Sequence, residues 1–239
     1  MNIIRYIGDV HGRNRQYKRI LKDALLHSIP SIQVGDLGLG FVRYNTWNHG
    51  AYSPNPPHRL MVEANAEFIR GNHDNPNACK RNSQWIPDGT VRGNMMLIGG
   101  AISRDIFYPN GKPRRHEGYD WWPDEELGYV ELMSMIDKYE KVKPEIMITH
   151  DCTSSVGRHL LSQMTGKEYN DDSKTAPALQ QMWEIHQPKL WIFGHWHMDV
   201  EIIIEENTRF ICLNELSYID VDTDTFEIIN RGSGNVNKR

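Results

Sequence analysis

Residues 3–12 read Ile-Ile-Arg-Tyr-Ile-Gly-Asp-Val-His-Gly, and the order of residue types in that stretch sets the fold class. The β-branched and aromatic run at 3–7 suits a strand buried on both faces, closed by Gly8. Tyr17, Ile20, Leu21, Ala24 and Leu25 then recur at helical spacing over 14–27, until Pro30 stops the pattern. Asp9 therefore stands where the first strand hands over to the first helix, and Gly8 and Gly12 permit the tight turn there. In open α/β sheets, ligands bind outside the carboxyl ends of the strands, so that handover is where chemistry is expected.

The same punctuation recurs down the chain. Short apolar runs at 31–34, 66–69 and 95–98 end at Gly35-Asp36, Gly71-Asn72 and Gly99-Gly100. The spacing predicts a helix over 125–139, a strand over 145–148 ending at Thr149-His150, a helix over 176–186, and a strand over 190–193 ending at Gly194-His195. Beyond Val200, β-rich runs at 201–204, 209–213, 218–221 and 226–229 read as antiparallel hairpins. Stretches 39–57, 104–121 and 153–175 fit poorly as regular structure, and long loops in a compact domain commonly carry substrate contacts.

Composition bounds the function. The 239 residues, 39% hydrophobic and 24% charged, suit one globular domain spanning 1–239. A net charge of −4 lacks the overall basic field of a protein that holds nucleic acid mainly through phosphates. The cysteines, Cys79, Cys152 and Cys212, are odd in number and far apart, which argues against a disulfide framework or a structural zinc site and for a reducing compartment. No signal-type segment or membrane-length apolar run is present, so the expectation is a cytoplasmic protein without a membrane partner.

The strand-end residues are of metal-ligating types. Asp9 and His11 suit one ion, and read equally well as a helix N-cap with a solvated histidine. Asp36 alone is a turn carboxylate; among the other strand ends it suits a bridge between two cations. Asn72 offers a neutral carbonyl oxygen, His73 a proton, and Asp74 a partner to hold His73 in one tautomer, with a Gly-Asn-Asp turn as the structural alternative. His150 alone reads as a satisfied core residue; beside His195 and His197, at i and i+2 after a strand, the ligand reading overtakes it.

The ordered set GDVHG (8–12), GDLG (35–38), GNHD (71–74), TH (149–150) and GHWH (194–197) resembles the calcineurin-like metallophosphoesterases. The resemblance implies a four-layer α/β/β/α sandwich, with mixed sheets flanked by helices and C-terminal antiparallel strands. It also implies a dinuclear site. Asp9, His11, Asp36 and His197 would hold one metal, and Asp36, Asn72, His150 and His195 the other. His73, oriented by Asp74, would donate a proton to the leaving oxygen, and a hydroxide bridging the metals would be the nucleophile. Mixed carboxylate, amide and imidazole donors suit manganese or iron, or else zinc or nickel, better than magnesium.

The second motif lacks the GDxVDRG of the protein serine/threonine phosphatases, including its phosphate-binding arginine, and the GDLFD or GDLxH of exonuclease-type members. The segment Gly99-Gly100-Ala101-Ile102-Ser103 with Trp121-Trp122-Pro123-Asp124-Glu125 is similar to that of small bacterial and phage members. Read physically, Pro123 begins a helix whose dipole is complemented by Asp124, Glu125 and Glu126, and Trp121 and Trp122 pack the loop or core. Arg104, Arg114 and Arg115 are the candidate phosphate clamps, a solvated basic loop being the alternative. The expected activity is hydrolysis of a phosphomonoester, or of a small phosphodiester or nucleotide. A nuclease or cyclic-nucleotide phosphodiesterase would use the same site, and a non-catalytic metal-binding scaffold is the alternative of another class.

Overall fold

Strands that are apolar at every position leave neither face for water, and must lie between two apolar layers. The computed structural model of the chain, which describes residues 2–42, 53–166, 172–204 and 207–235, satisfies this with two stacked sheets flanked by helices. The first half comprises β1 (Ile3–Ile7), α1 (Asn14–Leu26), β2 (Ser31–Gln33), α2 (His58–Glu63), β3 (Ala66–Phe68), α3 (Pro76–Lys80), β4 (Thr90–Arg92) and β5 (Met95–Ile98). Next come α4 (Tyr129–Val142), β6 (Ile146–Thr149), α5 (Ser154–Thr165), α6 (Thr175–Ile185) and β7 (Leu190–Phe193). The chain closes with β8 (Val200–Ile204), β9 (Thr208–Cys212), β10 (Ser217–Asp222) and β11 (Ile228–Ser233).

One sheet runs β11-β10-β1-β2-β3, the other β4-β5-β6-β7-β9-β8. Both are mixed: β1, β2 and β3 are parallel, as are β5, β6, β7 and β9, while β10, β11, β4 and β8 pair antiparallel at the flanks. Met95, Leu97, Ile146, Ile148, Leu190 and Ile192 face Tyr6, Ile32, Val34 and Ile219 between the sheets. The alternate residues Met96, Ile98, Met147, Trp191 and Phe193 pack under Leu132, Ile136, Val156, Leu160, Leu179 and Met182 of α4, α5 and α6. On the far side, Ile7, Ala66 and Phe68 meet Tyr17, Leu21, Met61 and Cys79 from α1, α2 and α3. Each such side chain contributes about 1.5–3 kcal/mol on burial, so three apolar interfaces define four layers, as the family resemblance implies.

The one charge in β1, Arg5, is 1% exposed and donates to both Asp220 oxygens at 2.6 and 2.9 Å and to Asp23 at 2.7 Å, tying β1 to β10 and α1. Cys79, Cys152 and Cys212 are buried thiols. Among the described residues no helix is long and apolar enough to cross a membrane.

Two expectations need correction. The helix expected over 125–139 begins at Tyr129, because Glu125 and Glu126 are buried and hold other segments instead of facing solvent at a helix start. The stretch 153–175 contains α5, with Thr153 as its N-cap accepting from the Val156 N–H; residues 167–171 lie outside those described, as do 43–52 of the 39–57 stretch. As expected, the C-terminal strands form the antiparallel pairs β8–β9 and β10–β11, and these join different sheets: β9 pairs parallel with β7, and β10 antiparallel with β1.

Glu126 Oε1 accepts from Ser173 Oγ at 2.8 Å and from the backbone N–H of Lys174 and Thr175 at 2.9 Å each, so it anchors the start of α6. Glu126→Ala strands these donors and is expected to cost about 2–3 kcal/mol. A urea melt checks this; an unchanged midpoint would show that the anchor contributes nothing.

Candidate metal centre

The carboxyl ends of β1, β2, β3, β6 and β7 deliver Asp9, Asp36, Asn72, His150 and the His195/His197 pair to one edge of the stacked sheets. Two donor groups form there. Asp9, His11, Asp36 and His197 present ligand atoms within 4.8 Å of one another, and Asp36, His150 and His195 do the same, so Asp36 is common to both. Asn72 Oδ1 lies 3.2 Å from His150 Nε2, on the side of the second group.

Each side chain is aimed by its surroundings. His150 Nδ1 donates to the Val34 carbonyl at 2.9 Å, which holds the ring with Nε2 towards Asp36 Oδ1 at 3.2 Å. Asp36 Oδ1 also accepts the His73 N–H at 2.7 Å. Asp9, fully buried, faces His197 Nε2 at 3.1 Å and accepts the His195 N–H. His11 Nε2 and His197 Nε2 stand 3.0 Å apart.

Backbone strain is concentrated here. His11, Asp36, His195 and His197 have φ of 48°, 59°, 65° and 51°, a region that side chains avoid at about 1–3 kcal/mol each. The glycines before the ligands have a steric cause: a Cβ on Gly71 would sit 2.1 Å from Asp36 Oδ1, and one on Gly194 2.3 Å from Asp9 Oδ1.

Electrostatics point the same way. Burial works against the charged form of Asp36, yet His73, His150 and His11 hold its carboxyl well below the ordinary range. Burial also opposes charge on His150, but Asp36 and Asp9 lift it to about 10. Burial pushes His11, His73 and His195 down. Buried carboxylates with imidazole nitrogens converging on them form a donor cluster that suits cations: imidazole nitrogens facing each other at 3.0 Å are reconciled by a shared proton or by a metal ion.

His73 projects beside the donors. Its ring stacks on Phe41 with centroids 4.6 Å apart, Nδ1 faces His11 Nδ1 at 2.9 Å, and Nε2 faces Arg115 Nη2 at 2.8 Å. Asp74 does not orient it, contrary to expectation. Its carboxylate accepts the N–H groups of Leu37, Gly38, Leu39 and Gly71, so it shapes the loops that carry Asp36 and Asn72; burial foremost, with Asp36, pushes it up to about 6. Of the three candidate arginines, only Arg115 reaches His73; Arg114 is exposed beside Asp105 and over the Tyr108 ring, and Arg104 is exposed. Trp122 is buried edge-on to Phe41, as its packing role requires.

A model of the calcineurin-like phosphoesterases matches residues 4–199. The chain belongs to that family. This phosphoesterase is thus a hydrolase of phosphate esters from a metal-dependent family, and its His/Asp cluster is able to bind metal. No curated protein matches it significantly. Among solved structures, one at 13% identity aligns over 98% of this chain and 99% of its own with a TM-score of 0.56, and shares the fold. The E. coli phosphoesterase Yfce is similar at 12% identity, 98% and 100% coverage and a TM-score of 0.41. A Streptococcus pneumoniae protein described as a predicted phosphoesterase is similar at 14% identity, 97% coverage of each chain and a TM-score of 0.38.

Sequence reasoning missed Phe41, which stacks on His73, and assigned Glu125 to a helix start and Ser103 to no role. Nothing in Pro123-Asp124-Glu125-Glu126 marks Glu125 as buried. Phe41 had no signal either.

With Asp36 common to both donor groups, Asp36→Asn is expected to lower retention of every bound ion, more than any other single ligand change. Metal analysis of the desalted variant checks this; two retained ions would contradict it.

Proposed function

We propose that this phosphoesterase, acting as one domain over residues 1–239, hydrolyses a phosphomonoester or a small phosphodiester such as a nucleotide with two divalent ions. Asp9, His11, Asp36 and His197 hold one ion, and Asp36, Asn72, His150 and His195 the other, in keeping with the two donor groups. The observation that carries the reading is the buried Asp36 carboxylate shared between them. The donor set favours manganese or iron, with zinc or nickel as the next fits. Such a pair of ions, when bound, lowers the pKa of water and neutralises charge on the attacking and leaving oxygens of an in-line displacement.

The chain's own side chains bind the phosphate and move the proton. Arg115, fixed by Asp105 and Ser103, presents a guanidinium whose fork matches phosphate oxygens. An arginine N–H facing His73 Nε2 makes that nitrogen an acceptor. When the guanidinium turns to the phosphate, Nε2 is freed to take up a proton from solvent and hand it to the leaving oxygen. Phe41 holds the imidazole plane by stacking, and the His73 N–H on Asp36 fixes its backbone. Arg104 and Arg114 extend the basic rim for substrate groups beyond the scissile phosphate.

A second reading, a nuclease or cyclic-nucleotide phosphodiesterase, is favoured by Phe107 and Tyr108, 62% and 50% exposed on the loop that carries Arg115, where they offer stacking surfaces for bases.

Turnover of p-nitrophenyl phosphate, bis-p-nitrophenyl phosphate, 2′,3′-cyclic nucleotides and single-stranded DNA with manganese separates these readings. His73→Asn is expected to lower kcat roughly 10²–10⁴-fold. Arg115→Ala should mainly raise KM. Absence of turnover on the whole panel would instead favour the non-catalytic scaffold.

A further inference from the structure

Ser103 is 3% exposed, and its hydroxyl oxygen meets three polar atoms: Asn72 Nδ2 at 3.0 Å, Arg115 Nη1 at 3.0 Å and Glu125 Oε2 at 2.7 Å. A hydroxyl has one hydrogen and two lone pairs. The guanidinium only donates, and so takes one lone pair. With Glu125 ionised, as it is above the pH of about 7 to which burial raises its carboxyl, Oε1 accepts the Ser103 N–H at 2.5 Å, which leaves Oε2 as the destination of the hydroxyl hydrogen. The second lone pair therefore requires a donor, and the amide of Asn72 must turn its NH2 to Ser103. Its Oδ1 is then directed to the side of His150, where it lies. Reversal of that amide would set an oxygen against an oxygen at Ser103 and an NH2 where a cation needs a lone pair.

We infer that Ser103 and Glu125 are a positioning pair that fixes the direction of the Asn72 amide for the second metal position and anchors Arg115 on the same hydroxyl. The inference rests on the reading of Asn72 as a ligand. The pair couples the metal site to the phosphate clamp: one hydroxyl sets a donor of the former and the guanidinium of the latter. Arg70, also buried, reinforces it from behind by donating to the Asp124 and Glu125 carbonyls at 2.9 and 2.8 Å.

Hydrogen-bond polarity gives the test. Glu125→Gln preserves shape but replaces an acceptor with NH2; with its oxygen on the Ser103 N–H, Ser103 Oγ receives a third donor for two lone pairs, and Asn72 must flip. Asn72→Asp in the same chain removes the amide donor. The Ser103 hydrogen then goes to the carboxylate introduced at position 72 as the whole chain of bonds reverses, with the other carboxylate oxygen left for the cation. The measurement is manganese binding by titration calorimetry on the full chain. Glu125→Gln and Asn72→Asp should each weaken one of the two ions about 10–100-fold, and the double variant should recover most of that loss. Wild-type affinity in Glu125→Gln, or a double variant no tighter than the singles, overturns the inference. If Glu125→Gln fails to fold, Ser103→Ala, which removes the hydroxyl without a new clash, is read in the same way. Asn72→Ala separates the levels: both ions retained there would sink the ligand reading itself, whereas one ion lost there and none in Glu125→Gln or Ser103→Ala would sink the positioning pair alone.

Discussion

The Asp36 carboxylate, 1% exposed and shared by two groups of imidazole and carboxylate donors, is the interaction on which the rest of the site depends. An ionised carboxylate without partners is expensive to bury, so what surrounds it must supply positive charge and hydrogen-bond donors. The His73 N–H does so at 2.7 Å and His150 Nε2 at 3.2 Å, with the His11 ring 3.8 Å away. Each of these comes from a different strand end. The two-sheet sandwich is therefore also the device that brings those ends together, and its three apolar interfaces offset the strain of four ligand-type residues at positive φ.

The same constraint explains much of what could be read directly. Strands near 95–98, 146–148 and 190–193 stood out because burial on both faces makes their sequences continuously apolar, and 3–7 because it is apolar except at Arg5. Their ends stood out because Gly71 and Gly194 leave no room for a Cβ beside Asp36 and Asp9, so a glycine precedes a ligand-type residue for steric reasons. Four such ends and Thr149-His150, in order, were enough for the family.

Non-local pairing was not legible. Nothing local tells that β9 joins β7 while β10 crosses to β1 in the other sheet. The α5 helix was obscured by Ser154, Ser155 and Gly157, residues that favour turns over helix interiors, and among its described side chains Val156 and Leu160 carry the buried apolar period. Pro123-Asp124-Glu125-Glu126 has the composition of a helix start, but burial recruited its acids: Glu125 to Ser103, and Glu126 to residues 173–175. Asp74 sits next to His73 in sequence yet points into the loops behind it, where four backbone N–H groups outcompete one imidazole. Adjacency in a turn is poor evidence of contact; the groups that orient His73 come from Phe41, His11 and Arg115.

In the proposed site Asp36 joins two ions into one unit. Electron paramagnetic resonance of the protein loaded with manganese(II) measures this directly, because ions about 3.5–4 Å apart with a shared carboxylate are magnetically coupled. A spin-coupled pair signal at full loading is the predicted result. The hyperfine pattern of isolated manganese, unchanged between partial and full loading, would contradict it.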